Sequence, residues 1–178
     1  MHSELETVRV AIERAIAGMN AEELAWPPEG KWCVAQILEH LSLTYSGTAK
    51  GMRGVLQSGA PKVRPSTWKE RLSVQVLVGL GYFPPGREAP SQVMPRETNP
   101  QGAVNEIQVR LSEMDRAISE CEQRFGAKAT VLVHPVLGPL NLRQWRKFHR
   151  IHCLHHMKQI RALRARMQQE EKTPRASM

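Results

Sequence analysis

Between Leu142 and Met167, apolar side chains return every three or four residues, a period that an α-helix burying one face satisfies. The same period recurs in three other stretches. Residues 3–19 carry Leu5, Val8, Ile12, Ala15, Ile16 and Met19 at that spacing, with Ser3 and Glu6 reading as a capping box. A second helix is predicted from about Cys33 to Gln57, turning Val34, Ile37, Leu38, Leu41, Tyr45, Thr48, Met52 and Leu56 inward. A third follows Pro100, puts Ile107, Leu111, Met114, Ile118, Cys121 and Phe125 on one face, and stops at Gly126. Asn141 offers an N-cap to the fourth, with Gln144 at the capping-box position.

The segments between these helices are punctuated. Trp26-Pro27-Pro28 and Gly30 break the chain, and residues 58–66 read as loop. Trp68 to Leu80 reads as a shorter helix, although Val74, Val76 and Val78 also alternate as in a strand. Pro84, Pro85, Pro90, Pro95 and Pro100 make residues 81–100 an extended crossover. Val131, Val133 and the stretch His134 to Pro139 read as a turn-rich connection. Residues 170–178 read as a disordered tail. The expectation is one all-α domain over residues 1–169, a four-helix bundle with one long crossover connection.

Composition narrows the class. At 178 residues the chain can bury roughly 70% of its unfolded surface, so its core needs no disulfides. Cys33, Cys121 and Cys153 are odd in number and none is close to another in sequence, which disfavours a disulfide scaffold or a Cys-rich zinc site. Leu72 to Phe83 is the longest weakly polar run and is too short to span a bilayer. Charged residues from Glu4 to Arg14 occupy the place where a signal peptide would be apolar. A cytoplasmic protein without membrane attachment is expected.

The net charge of +8 is uneven. Residues 1–60 carry net −2 and residues 61–178 net +10, and Arg143 to Arg166 holds eight basic residues without an acid. Such a run suggests either an anionic partner or one solvated helix face. Helix phase favours the second. With His152 as origin, Arg143 and Arg161 fall at about 180°, Arg150 at about 160°, Lys147 at about 220° and Lys158 at about 240°.

The histidines lie on the opposite side. Trp145 and Leu163 fall at about 20°, His156 at about 40°, His149 and Met167 at about 60°, and Leu142 and Ile160 at about 80°. A lone inward histidine is ordinarily a core residue with a hydrogen bond. Three on one stripe are harder to satisfy, because each neutral imidazole needs two partners and each unmet polar group costs about 1–3 kcal/mol. A shared divalent metal would occupy one nitrogen of each ligand. His152 and His156 are four residues apart, close enough to converge on one ion. His149 and His156 are separated by about 10.5 Å of rise, so His149 is expected beside the metal rather than on it. His155, at about 300°, is expected at a helix interface. A third ligand must come from another helix. His40, bordering the apolar stripe of the second helix, is the candidate, although a surface histidine would occupy the same phase.

The motifs Trp32 to Leu41 (WCVAQILEHL) and His134 to Ile160 (HPVLGPLNLRQWRKFHRIHCLHHMKQI) resemble the DinB-like, or YfiT-like, superfamily of small four-helix proteins, in particular a branch of unassigned function. The similarity follows helix order over nearly the whole chain. Its specific part is the second-helix histidine together with His-x-x-x-His before a glutamine. The resemblance implies a DinB/YfiT-like bundle in which His40, His152 and His156 bind a divalent metal. It also implies metal-dependent enzymes, thiol S-transferases and a thiol-dependent isomerase among them. The sequence departs from common patterns at Cys33, where many relatives cap with Ser, and at His156-Met157-Lys158-Gln159, where many have His-Arg-Gly-Gln. A zincin would need Glu at the position of Cys153, so peptidase chemistry is disfavoured. Cys153 itself, at about 100°, points off the metal face.

Three imidazoles would leave an ion its full charge and an open position, the catalytic rather than the structural pattern. Nitrogen ligands suit zinc, nickel, cobalt or iron. The expected function is a divalent-metal-dependent enzyme of thiol S-transferase or hydrolase type, acting on a small-molecule substrate. A low-molecular-weight thiol is the co-substrate implied for the transferase. A non-catalytic metal-binding protein is the alternative, a nucleic-acid-binding module ranks third, and a homodimer is left open.

Overall fold

The computed structural model describes residues 1–61, 63–79, 81, 89–96 and 99–172. Six α-helices dominate it: α1 (Ser3–Ile16), α2 (Ala21–Ala25), α3 (Val34–Ser58), α4 (Trp68–Val74), α5 (Pro100–Phe125) and α6 (Leu142–Lys172). α4 continues directly into a π-helical turn, Gln75–Gly79, and a 3-10 turn, Ser91–Val93, lies in the crossover. Two strands, β1 (Thr130–His134) and β2 (Gly138–Asn141), form an antiparallel hairpin. The all-α expectation therefore holds, with the hairpin as its one addition. Pro84 and Pro85 of the crossover, and residues 173–178 of the expected tail, lie outside the described residues. α6 itself runs on to Lys172, past the expected boundary at residue 169.

Each long helix is set by its caps and its apolar face. In α1 the cap is His2 rather than Ser3: His2 Nδ1 accepts from the Glu4 amide at 3.3 Å, and Ser3 is the first helical residue. Leu5, Val8, Ile12 and Ala15 form its buried face, and the helix ends at Ile16, short of Met19. Asn20 and Glu23 close a reciprocal capping box for α2, which the sequence pattern did not suggest. α3 begins after Cys33, whose amide donates to Gln36 Oε1 at 3.0 Å, and ends at Gly59 with φ of 80°. Asn99 caps α5 through the Gly102 amide, and Pro100 fills the first helical position, where its missing N–H costs nothing.

α3 packs along α5 and α1 packs along α6, so the four long helices enclose one core. Tyr45, Leu38, Leu41 and Met52 from α3 meet a layer that includes Ile107, Leu111, Met114 and Ile118, all fully buried. Burying each such side chain contributes about 1.5–3 kcal/mol. Among the described residues, no helix is long and apolar enough to cross a membrane.

The hairpin replaces the expected irregular connection and fixes where α6 starts. His134 Nδ1 accepts from the amides of Val136 and Leu137, both at 3.1 Å, and so holds the turn. Leu132 then presses against α3 where Gly51 supplies no side chain: a Cβ there would lie 2.7 Å from Leu132 Cδ2. The strand leads directly into the predicted Asn141–Gln144 box, whose two hydrogen bonds are both 2.9 Å. The start and phase of α6 are thereby set, and with them the direction of its histidines.

Candidate metal centre

His40 on α3 and His152 and His156 on α6 come together, each less than one-tenth exposed, with one ligating atom of each within 4.8 Å of the others. His152 Nε2 is 3.2 Å from His40 Nε2 and 3.0 Å from His156 Nε2. The pair chosen by helix phase is therefore adjacent, and the border position of His40 turns out to face it across the bundle.

The outer nitrogens explain why the inner ones converge. His40 Nδ1 lies 2.8 Å from the Val93 carbonyl oxygen, and His156 Nδ1 lies 2.8 Å from Gln159 Oε1. Both oxygens are acceptors, so both Nδ1 atoms carry the hydrogen and both Nε2 atoms present lone pairs. His152 Nε2 can bring at most one hydrogen to these two acceptors. Three nitrogens with at most one hydrogen among them are an incomplete hydrogen-bonding set in a buried place, but they make a good donor set for a cation. Nitrogens bound about 2.0–2.1 Å from a tetrahedral ion are about 3.3 Å apart, close to the two spacings from His152.

Burial also keeps the imidazoles neutral. It is the main cause pushing His156 down to about 3, with the neighbouring His40 adding to it. Burial, then proximity to His156 and His40, holds His152 well below the ordinary value, and burial lowers His40. Neutral imidazole is the form that binds a metal. The site is thus ready for a cation at neutral pH.

Aromatic rings wall the centre. Phe148 stacks on His152 with centroids 5.4 Å apart and planes 13° apart, and Trp32 lies 5.0 Å from His40. The crossover is tied to α3 at this point twice, by Val93 to His40 and by the Arg96 amide to Glu39 Oε1 at 3.0 Å.

The remaining candidates fall elsewhere. His149 is completely buried and lies outside the three-histidine group: its Nε2 meets Thr48 Oγ1 at 3.1 Å, and its ring packs against Tyr45, Trp145 and Phe148. Burial pushes it down to about 3. His155 is half-buried, and its Nε2 accepts from the Gln159 amide nitrogen at 3.2 Å. Cys153 is fully buried beside the Tyr45 hydroxyl, and burial pushes its thiol up to about 12, which disqualifies it as a nucleophile at neutral pH.

Two supporting groups orient the ligands from outside. The Val93 carbonyl has no sequence signal, since every residue has one and only the path of the crossover aims it. Gln159 stands in the motif, but its role depends on the rotamer that brings Oε1 back to His156. The basic stripe is also less uniform than helix phase suggested. Arg146 is buried, 2.5 Å from Glu122 Oε2, and Arg150 faces Glu4 at 3.7 Å. Arg164 donates to the Ala15 carbonyl at 2.9 Å, while Arg143, Lys158 and Arg161 remain exposed.

Comparison with known proteins gives a consistent result. No curated protein and no solved structure matches the chain. The family model of the DinB superfamily matches residues 4–160, from α1 through the histidine-bearing part of α6. With a helical bundle and a buried three-histidine group in agreement with that match, the chain belongs to the DinB superfamily.

Proposed function

We propose that this protein is a divalent-metal-dependent enzyme whose ion is held by His40, His152 and His156, and that it transfers a thiol to a small electrophilic substrate. The observation that carries the reading is the convergence of three buried Nε2 atoms, two of which, on His40 and His156, are made to present lone pairs inward by the partners of their Nδ1 atoms. A divalent ion held by three neutral imidazoles would keep its charge and would supply Lewis acidity toward a thiol or a water molecule.

The choice between thiol and water rests on what else surrounds the histidines. Among the described residues the group contains no carboxylate, and the position where a zincin keeps its glutamate base is the buried Cys153, turned away from the centre. A base at that position would assist attack by water. A thiol has a pKa near 8.5 against 15.7 for bulk water, so it gives up its proton with far less help. Hydrolysis is accordingly the second reaction type. The residues of this chain would orient the ligands through Val93 and Gln159, and Phe148 and Trp32 would limit access of water.

The basic residues of α6 weigh against a nucleic-acid module, because Arg146 is buried against Glu122 and Arg150 and Arg164 are paired within the chain, with Glu4 and the Ala15 carbonyl. The test is a screen of low-molecular-weight thiols against small electrophiles, run with metal-loaded and chelator-stripped protein. Turnover that needs both metal and thiol supports the proposal. Turnover unchanged by stripping contradicts it, and stoichiometric metal without turnover of any thiol or ester would favour a sensing or structural ion.

A further inference from the structure

We infer that Gln159 is a positioning residue of the metal centre: its side-chain amide, gripped at its far end by His155, fixes the tautomer and ring orientation in which His156 offers Nε2 to the ion. The inference rests on the metal reading above and deepens it.

The geometry is local to one helix. Gln159 lies three residues after His156 and four after His155, so both imidazoles fall on its side of α6. Its Oε1 accepts from His156 Nδ1 at 2.8 Å, and its Nε2 meets His155 Nε2 at 3.2 Å. An amide has one accepting end and one donating end. Donation to His155 commits the oxygen to His156, and the opposite amide orientation would keep both contacts only with both rings in the other tautomer, which would put hydrogen on His156 Nε2. With His155 as acceptor, the amide takes the orientation that leaves the lone pair on His156 Nε2. The rings of His155 and His156 sit 5.3 Å apart at 80°, an edge-on arrangement that leaves the amide room to bridge them.

The consequence at the centre is specific. If His156 Nδ1 lost its acceptor, its hydrogen would be free to move to Nε2, where it would point at His152 and block ligation. The corresponding partner of His40 is a backbone carbonyl, which no substitution removes. Gln159 is the side-chain counterpart, and it can be tested. Outer partners of metal-bound histidines are worth about 10–100-fold in metal affinity.

Two variants separate the roles of its two ends. Gln159→Leu removes acceptor and donor, whereas Gln159→Glu restores an acceptor for His156 and gives up the donor to His155. Gln159 is exposed, and equal thermal midpoints of the metal-free proteins check that the fold is unaffected. The first measurement is the His156 tautomer in metal-free protein, from long-range nitrogen–proton NMR correlations. The second is zinc affinity, by competition with a chromophoric chelator. We expect wild type and Gln159→Glu to keep hydrogen on Nδ1 of His156, and Gln159→Leu to lose that preference. Zinc affinity should fall 10–100-fold in Gln159→Leu and recover to within a few-fold of wild type in Gln159→Glu. An unchanged tautomer in Gln159→Leu, zinc affinity within about two-fold of wild type there, or no recovery in Gln159→Glu would overturn the inference. The tautomer measurement needs no metal. Failure of the wild type to take up zinc would therefore sink the metal reading while leaving the role of Gln159 decided by NMR.

Discussion

Replacing His149 by leucine should flatten the dependence of stability on pH in the metal-free protein. His149 is completely buried, and burial pushes it down to about 3, whereas an unfolded histidine titrates near 6.5. The folded group stays neutral as pH falls below 6.5 while the unfolded one takes up a proton, so acid favours unfolding. Between pH 7.5 and 5.5 this costs about 1.4 kcal/mol for one such histidine. His134, pushed down to about 4, and His156, pushed down to about 3, act in the same direction. The three together remove about 4 kcal/mol over that interval, a large share of the 5–15 kcal/mol typical of a folded domain. His40 and His152, also lowered by burial, can only add to the loss. The assay is urea unfolding of chelator-stripped protein at the two pH values. Wild type should lose about 4 kcal/mol or more, and His149→Leu about 1.4 kcal/mol less than wild type. Equal wild-type stability at pH 7.5 and 5.5, or an unchanged slope in the variant, would refute the reasoning.

Three further expectations concern the scaffold. Gly51→Val should destabilise the protein by about 1–3 kcal/mol in urea, because its Cβ would meet Leu132, whereas Gly47→Ala, with open space at its Cβ, should not show that loss. Asn141→Ala should cost about 1 kcal/mol through the lost cap on α6, and a change below about 0.3 kcal/mol would mean that the hairpin alone fixes the helix start. Cys33, Cys121 and Cys153 are all buried, so the native protein should react with a thiol reagent only at the rate of its unfolding; rapid labelling of Cys153 at pH 8 would contradict its thiol lying near 12.

The parts of the fold that were legible share a cause. α3, α5 and α6 carry four or more turns of apolar spacing, and summed periodicity over such lengths outweighs any single residue. The hairpin was missed because five and four residues are too short for alternation to register, and because His134 holds its turn by accepting two amides, a role no composition rule signals. α2 rests on a capping box around five residues with one buried side chain, Leu24. Ser3 and Glu6 had the spacing of a cap, yet His2 took that role one residue earlier. At the site, helix phase sufficed for His152 and His156 because they share one rigid element. His40 required knowledge of how α3 faces α6, which phase within α3 does not contain. Arg146 fell between the apolar stripe and the outer face, and Glu122 across the interface decided its burial.

The central claim is that His40, His152 and His156 hold one divalent ion and that His149 does not. It is tested most directly by metal content per chain after zinc loading and gel filtration, for wild type, His40→Ala, His156→Ala and His149→Ala. Circular dichroism would check that each protein is folded. Wild type and His149→Ala should retain about one zinc per chain, and His40→Ala and His156→Ala should retain little. A wild type that emerges without zinc, or equal loss from His149→Ala and His156→Ala, would contradict the account.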